Sequence, residues 1–541
     1  MSRVVRWRAL LVGLATIFES AAAGAQPAPP LADTLRRDVP RMLAEYHVPG
    51  AAIVILKRGA APQSLAFGVR DAATGAPVDG RTVFLVGSIS KLVTAVGALR
   101  LVDEGAIGFD APVSGYLRRW TLPPAAYALD RVTARTLLSH TAGLSVRGYF
   151  PGSRYPGPVP DILDSMSGKL GAAQAVRVVA PPGLAFSYSG GGYSVLQVAL
   201  EDRTGTAFQP LMQRLVFDPL KLGRTSFAYD AILQDDVARP HDLAGHAMPP
   251  RVLPNLAAAG LSTTADDLAA ILVAAFDPAQ GRAGLLSPAA SALLATPMAP
   301  PDVSLGRPSV TQTMLAPETL PDPSAIRYGP GAAVTIRGDG RRIVGHSGSN
   351  AGWKANAQYV AKTGDGIVVL TNGENGNGVI LGAICEWRRA LDAASGAATP
   401  RCPRYAAGYI GAAFTRDGEA GALRALRQVA AAREDWYFSD HTADDVAGTL
   451  QTFAGLAVAP QADVRRAGAA LIAANAELFP ASAFAQARLA VELARGGRKV
   501  EAASALARAQ GLGGKDGEVA QLIDTAGSLL ATQAGRQEGN P

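Results

Sequence analysis

Ser88 and Lys91 stand three residues apart in "TVFLVGSISKLVTAVGALRLVDEG". Leu92, Ala95, Val96, Leu99 and Val102 then recur at helical spacing, so both polar residues fall in the first turn of a helix with one apolar face. Residues at i and i+3 are neighbours on a helix surface. A serine with a basic nitrogen beside it has the parts of an activated nucleophile, because the base can take the hydroxyl proton as the oxygen attacks. The helix N-terminus adds partial positive charge where an oxyanion would form. Lysine is scarce here, and Lys91 alone has a serine three places before it. The bland reading of the same residues is a core helix with a solvated lysine.

The Ser-His-Asp alternative finds little support. No G-x-S-x-G elbow occurs. His346 adjoins Ser347, and neighbouring side chains do not readily pair as nucleophile and base. His140, in "LLSHTAGL", reads as a structural residue at a helix end or loop. Tyr188 lies in "PPGLAFSYSGGGYSVLQ", after an extended run and at the mouth of a loop held by Gly190, Gly191 and Gly192. It is either a packing aromatic or a phenolate base whose pKa a nearby lysine lowers.

Two triplets compete for the far wall of such a site. Lys362-Thr363-Gly364 sits between "ANAQYVA" and "DGIVVLTN", two strand-like runs, and reads as the tip of a hairpin. His346-Ser347-Gly348 follows the strand-like "RRIVG" and precedes "SNAGW".

The elements that must hold these residues follow from pattern. From about residue 34 to 391 the chain alternates strand-like, helical and Gly/Pro-rich segments, the layout of a mixed α+β enzyme. "AAIVILKRG" and "SLAFGVRDAATGAPV" read as paired strands, and "TLLSHTAGL" and "STTADDLAAILVAAF" as starts of capped helices. Residues 146–160 read as a structured loop over a cleft. Residues 406–531 are rich in Ala, Leu, Arg and Glu at helical spacing. There, Pro480 should open a helix that Gly496-Gly497 ends, in a degenerate tetratricopeptide-like unit or a helical hairpin packed on the preceding part.

Over the 541 residues, 48% are hydrophobic and 18% charged, the balance of a folded chain. A net charge of +6 without a Lys/Arg cluster argues against a nucleic-acid partner. Arg3, Arg6 and Arg8, the apolar run from Ala9 to Phe18 and Ala23-Gly24-Ala25 have the three-part layout of a secretory signal peptide over residues 1–25. The expectation is a secreted or periplasmic protein with no membrane span once residues 1–25 are removed. In that compartment Cys385 and Cys402 are read as a disulfide, against two buried thiols.

Taken in order, "VPGAAIVILKRG", the Ser88 block, "ARTLLSHTAGL", "PPGLAFSYSGGGYSVLQ", "AAGLSTTADDLAAIL" and "GHSGSNAGW" resemble the β-lactamase-like serine hydrolases. That superfamily includes class C β-lactamases, D-Ala-D-Ala carboxypeptidases and esterases. The resemblance implies an antiparallel sheet flanked by helices plus an α-helical subdomain, and catalysis of the S-x-x-K type. It implies Ser88 as the acylated nucleophile, Lys91 as its activator and Tyr188 as general base and acid. His346 would face the site, Gly348 would let substrate approach the strand, and the N–H groups of Ser349 and Ser88 would form the oxyanion hole. Gly190 departs from the family, which usually carries Asn there. That departure and the histidine at 346 shift the expected substrates toward carboxylic esters or D-amino-acid peptides, with β-lactamase or D,D-carboxypeptidase activity as the alternative. No cofactor or metal is implied. A catalytically weak binding protein, using the helical tail for a protein partner, is the reading of another class.

Overall fold

A computed structural model describes residues 30–149, 152–277, 285–300, 326–396, 401–454, 461–513 and 517–538. The expected signal peptide lies outside the described residues.

An eight-stranded sheet organises the first part of the chain. Its strands are β1 (Gly50–Leu56), β2 (Gln63–Asp71), β3 (Ala76–Pro77), β4 (Ile326–Tyr328), β5 (Ala333–Ile336), β6 (Arg342–Asn350), β7 (Trp353–Val360) and β8 (Asp365–Thr371). They lie in the order β3-β2-β1-β8-β7-β6-β5-β4, with every pairing antiparallel. The first strand therefore pairs with the last, Ala51 opposite Thr371 and Leu56 opposite Gly366. The helical region between β3 and β4 sits on a sheet closed by the two ends of the domain.

Side chains alternate across a strand, so each strand feeds two cores. Ile53, Ile367, Val369 and Ile343 pack under α1 (Leu31–Tyr46) and, nearer the C-terminus, the helix Asn377–Ser395. Ala52, Val54, Val368, Leu370, Ala355 and Val344 pack on the other face with α2 (Ser90–Asp103) and the helix Ala265–Phe276. With both faces covered, all eight residues of β7 are buried. The same parity puts His346, two residues after Val344, on the α2 face. A slip of one residue would send it to the opposite core.

Several expectations change on contact with the fold. Of the pair expected in one first turn, only Lys91 lies on α2, Ser88 preceding it, and the helix is not amphipathic: it is buried all round from Ser90 to Leu99, because it lies between the sheet and the helical region. "TLLSHTAGL" does not start a helix. A capping box of Thr133 and Thr136 starts one upstream, at Ala134, and it ends at Leu138, leaving Ser139, His140 and Thr141 in the following turn. Gly190, Gly191 and Gly192 are not a loop but the first turn of α3 (Gly190–Thr204), with Ser189 as N-cap accepting from the Gly192 N–H. The helix Ala265–Phe276 starts as expected, the Thr264 side chain accepting from the Asp267 N–H.

Cys385 and Cys402 form the disulfide, with a Cα–Cα distance of 5.6 Å. Beyond it the described chain is largely helical. The helix Ala406–Ala431 packs against the sheet-bearing part, where Leu243 joins Ala406, Ile410 and Leu426 in one cluster and Tyr405 donates its N–H to the Tyr46 hydroxyl. The helices Ala483–Arg495, Lys499–Gly511 and Gly517–Glu538 close a separate small core of Ala490, Val491, Ala494, Ala502, Ala505 and Ala526. Pro480 does not open a helix. The Ser482 side chain, accepting from the Ala485 N–H, sets the start at Ala483, and Gly496 ends it. Among the described residues no helix is long and apolar enough to cross a membrane.

Candidate active site

Ser88 occupies a single 3₁₀ turn, Gly87–Ile89, that feeds directly into α2. Two short strands, Phe84–Leu85 and Ser262–Thr263, pair just before it, and the Val86 N–H donates to Leu261 O at 2.9 Å. β5 pairs with β6 only as far as Gly345, leaving the edge of residues 346–350 to face this turn. The approach is backbone to backbone. A Cβ on Gly348 would lie 1.8 Å from Val86 O, and one on Gly87 would lie 2.6 Å from Ser349 N. Gly87 also has φ +53°, so glycine is needed there twice over. This contact sets the Ser349 backbone beside that of Ser88, which is itself half-buried and reachable.

Lys91 is 2% exposed. Its Nζ donates to Ser88 Oγ at 3.1 Å and to Ala258 O at 2.7 Å. Burial alone brings its pKa down to about 7, since no carboxylate offsets the loss of water. The ammonium and the free amine are then both populated near neutral pH. The segment supplying Ala258 O is tied to α2: Thr94 donates to Ala257 O, and Ser90 Oγ donates to Gly87 O and accepts from the Leu261 N–H. Sequence reasoning included this stretch in a family block but missed its carbonyl as a lysine partner, because a backbone acceptor leaves no mark in residue type.

The Tyr188 hydroxyl lies beside the Ser88 side chain, and Lys91 Nζ lies 5.0 Å from the centre of its ring. The expectation of a lowered phenol pKa is overturned. Burial raises it, outweighing the Ser88 side chain and the Arg147 charge, so Tyr188 remains a phenol at neutral pH. A half-neutral Lys91 supplies too little positive charge to reverse that.

His346 is 2% exposed and its Nδ1–H donates to Ser347 O at 2.6 Å. A carbonyl only accepts, so Nδ1 carries the proton and Nε2 is a bare acceptor, with no partner among the described residues. Burial, with Lys91 nearby, takes the imidazole pKa down to about 3. The ring is neutral at any working pH and lies 6.1 Å from that of Tyr188.

Gly190 is closely packed, and a side chain there would need its neighbours to give by a few tenths of an ångström. Its N–H donates to Arg147 O at 3.1 Å, and a Cβ there would lie 3.3 Å from that oxygen and 3.4 Å from the Tyr149 ring. The loop from Ser145 to Tyr149 thus packs closely against Gly190. Its carbonyls cap α3: Val146 O takes the Gly191 N–H, and Ser145 O takes the Ser189 hydroxyl. Val146 adopts φ +65° to do so, a conformation a β-branched residue rarely tolerates away from functional sites. The described part of residues 146–160 is thus structured, with Ser153–Arg154 pairing with Arg251–Val252.

Lys362 is exposed at the turn between β7 and β8. That turn is at the Ile343 end of β6, since Ile343 pairs with Val360. Gly348 is roughly 17 Å further along the strand at 3.4 Å per residue, so the Lys362 triplet is remote from Ser88.

The fold therefore brings Ser88, Lys91, Tyr188, His346, Gly348 and Ser349 together. Residues that sequence reasoning left out complete the walls. The rings of Phe186, Tyr188, Tyr193 and Tyr328 surround that of His140, and the Tyr188 ring lies 4.2 Å from His140 and 6.2 Å from Tyr328.

Comparison with known proteins gives the family. The profile of the family described as Beta-lactamase matches residues 35–382. Penicillin-binding protein 4 of Amycolatopsis lactamdurans is 32% identical over 197 residues, 36% of this chain and 49% of that one. Esterase EstB of Burkholderia gladioli is 31% identical over 195 residues, 34% of this chain and 48% of that one. The chain thus spans about half the length of these curated relatives. Among solved structures, the octameric penicillin-binding protein homologue from Pyrococcus abyssi superposes with a TM-score of 0.56 at 24% identity, covering 69% of this chain and 79% of that one, a likeness of fold. With a matching profile over most of its length, the fold of that group and a serine–lysine pair at its centre, the chain belongs to the β-lactamase family of serine hydrolases.

Proposed function

We propose that this protein is an exported serine hydrolase of the S-x-x-K type that cleaves carboxylic esters or D-amino-acid peptides through an acyl-enzyme. The observation that carries the reading is the contact of Lys91 Nζ with Ser88 Oγ at 3.1 Å, in a buried setting without a carboxylate. A free amine there takes the Ser88 proton as Oγ attacks the substrate carbonyl carbon. The tetrahedral oxyanion is received by the Ser88 and Ser349 N–H groups. The Tyr188 phenol, beside Ser88, gives its proton to the leaving group and recovers one from the Lys91 ammonium, and water then deacylates Ser88 by the reverse relay. The bare Nε2 of His346 offers an acceptor to a substrate donor.

Esters rank ahead of β-lactams for two reasons. Gly190, where the family usually has Asn, carries no carboxamide to hold a peptide-like acyl chain. His346, a neutral acceptor, stands where β-lactam-hydrolysing members carry a lysine. The esterase relative is in keeping with this order. Export is supported by the leader in residues 1–25 and by the Cys385–Cys402 disulfide, which suits an oxidising compartment.

The test is a fluorophosphonate probe on the wild type and Ser88→Ala, followed by p-nitrophenyl esters, D-alanyl peptides and a chromogenic cephalosporin side by side. Labelling that requires Ser88, with ester or D-peptide turnover above cephalosporin turnover, is the expected result. Absence of labelling would instead favour a non-catalytic binding protein. Cephalosporin turnover above the other two would overturn the substrate order.

A further inference from the structure

His140 was read from sequence as a residue that merely ends a helix, yet it holds Tyr188 from both sides. Its backbone carbonyl accepts the Ser187 N–H at 2.8 Å, and its ring Nδ1 accepts the Ser189 N–H at 3.0 Å. Those are the residues immediately before and after Tyr188. The imidazole also lies against the phenol, the ring centres 4.2 Å apart and the planes inclined by 34°. One residue thereby fixes the backbone on each side of the tyrosine and the direction of its ring.

The turn also ends its helix in the usual way: the His140 N–H donates to Leu137 O at 3.3 Å and the Thr141 N–H to Thr136 O at 2.9 Å, a pattern that puts a left-handed residue after the C-terminus. His140 has φ +59°, in the left-handed region, and is 2% exposed. Its turn is clamped by neighbours: the Gly183 N–H donates to Thr141 O at 2.7 Å, and the Tyr193 hydroxyl donates to Leu138 O at 3.0 Å. Accepting at Nδ1 requires that nitrogen to be unprotonated, so the ring is neutral with its proton on Nε2. Burial, with Lys91 and His346 nearby, holds the imidazole well below its usual pKa and keeps it in that form.

We propose that His140 is a positioning residue of this hydrolase: by accepting the two N–H groups that flank Tyr188, it aims the phenol at Ser88 Oγ. The inference rests on the reading of Ser88 and Tyr188 given above. A misplacement of about 1 Å at a reacting centre can lower a rate about 10²-fold, and this is the scale at stake.

The experiment uses the full-length chain with His140→Gly and His140→Asn. Glycine removes the ring and its acceptor while accepting the positive φ. Asparagine also tolerates that φ and offers a carbonyl oxygen close to where Nδ1 sits. Fluorophosphonate titration counts active sites, and the pre-steady-state burst with a p-nitrophenyl ester gives the acylation rate per site. KM and Tm are measured alongside. The expected result is acylation about 10²-fold slower in His140→Gly at nearly unchanged KM, with recovery to within about tenfold of wild type in His140→Asn. Wild-type acylation in His140→Gly overturns the proposal, even if Tm falls, because a merely structural residue would act that way. So does an Asn variant as slow as the Gly one. If His140→Gly does not fold, the Asn variant decides: near-wild-type acylation supports the proposal and a hundredfold loss overturns it. A wild type that never labels overturns the functional reading itself, a failure visible before either variant is made.

Discussion

Two lysines are buried among the described residues, and they live in opposite electrostatic surroundings. Lys91 meets only a hydroxyl and a backbone carbonyl, so burial draws its pKa to about 7. Lys354, 5% exposed on β7, meets the Glu374 carboxylate at 2.6 Å, whose second oxygen accepts the Gly352 N–H. Burial lowers the Lys354 pKa as well, but the Glu374 charge works against that fall. A lysine stripped of water and given no anion becomes a base near neutral pH. One given an anion becomes half of a buried ion pair, whose removal exposes the other half's desolvation. The comparison separates chemistry from architecture within one fold.

The largest expected effect is on the chemical side. Ser88→Ala should abolish burst kinetics, and Lys91→Ala should lower kcat/KM by about 10²–10⁴-fold while Tm holds or rises, as measured by ester hydrolysis and thermal melting. Lys354→Met should do the reverse. It leaves Glu374 buried without a cation, at a cost of about 3–5 kcal/mol in denaturant melts, with turnover per titrated site close to wild type. The double change Lys354→Met with Glu374→Met should recover most of that stability. An equal loss of turnover from both lysines would erase the distinction.

The pH dependence sharpens the same contrast. If Lys91 must be neutral to accept the serine proton, kcat/KM falls as pH drops below about 7, and Lys354→Met keeps that limb in place. The stability effect has a definite sign. The folded pKa is below the ordinary lysine value of 10.5, so the unfolded chain binds the proton more tightly. The Lys91 contribution thus makes folding more favourable as pH rises from about 7 to 10.5, and Lys91→Met should flatten that part of the denaturation curve.

The smallest pair concerns the rival triplets. His346→Ala should lower kcat/KM about tenfold, the worth of one lost hydrogen bond of roughly 1.4 kcal/mol. Lys362→Ala, at an exposed turn, should stay within about twofold by the same assay. The opposite ranking would mean that the wrong end of the sheet had been assigned to the site.

Much of this was legible in the sequence. The Ser88–Lys91 spacing, the hairpin around Lys362-Thr363-Gly364, the sheet-with-helices class and the helical tail all follow from local periodicity and turn chemistry. Such signals depend on near neighbours in the chain, and so they survive without tertiary information. Other matters were beyond its reach. The pKa of Lys91 depends on the absence of a carboxylate in three dimensions and on the carbonyl of Ala258, far away in sequence. Tyr188 was read as a possible phenolate because composition cannot weigh burial against a neighbouring charge. Gly190 is explained by the Arg147 carbonyl and the Tyr149 ring that pack closely against it. His140 looked structural because its two hydrogen bonds run to residues that only the fold brings beside it. The sequence by itself determined which groups could react, since functional groups and helical spacing are written residue by residue. The tertiary structure decided their protonation and their aim, because both depend on what the fold excludes, water above all, and on which distant backbones it brings within hydrogen-bond reach.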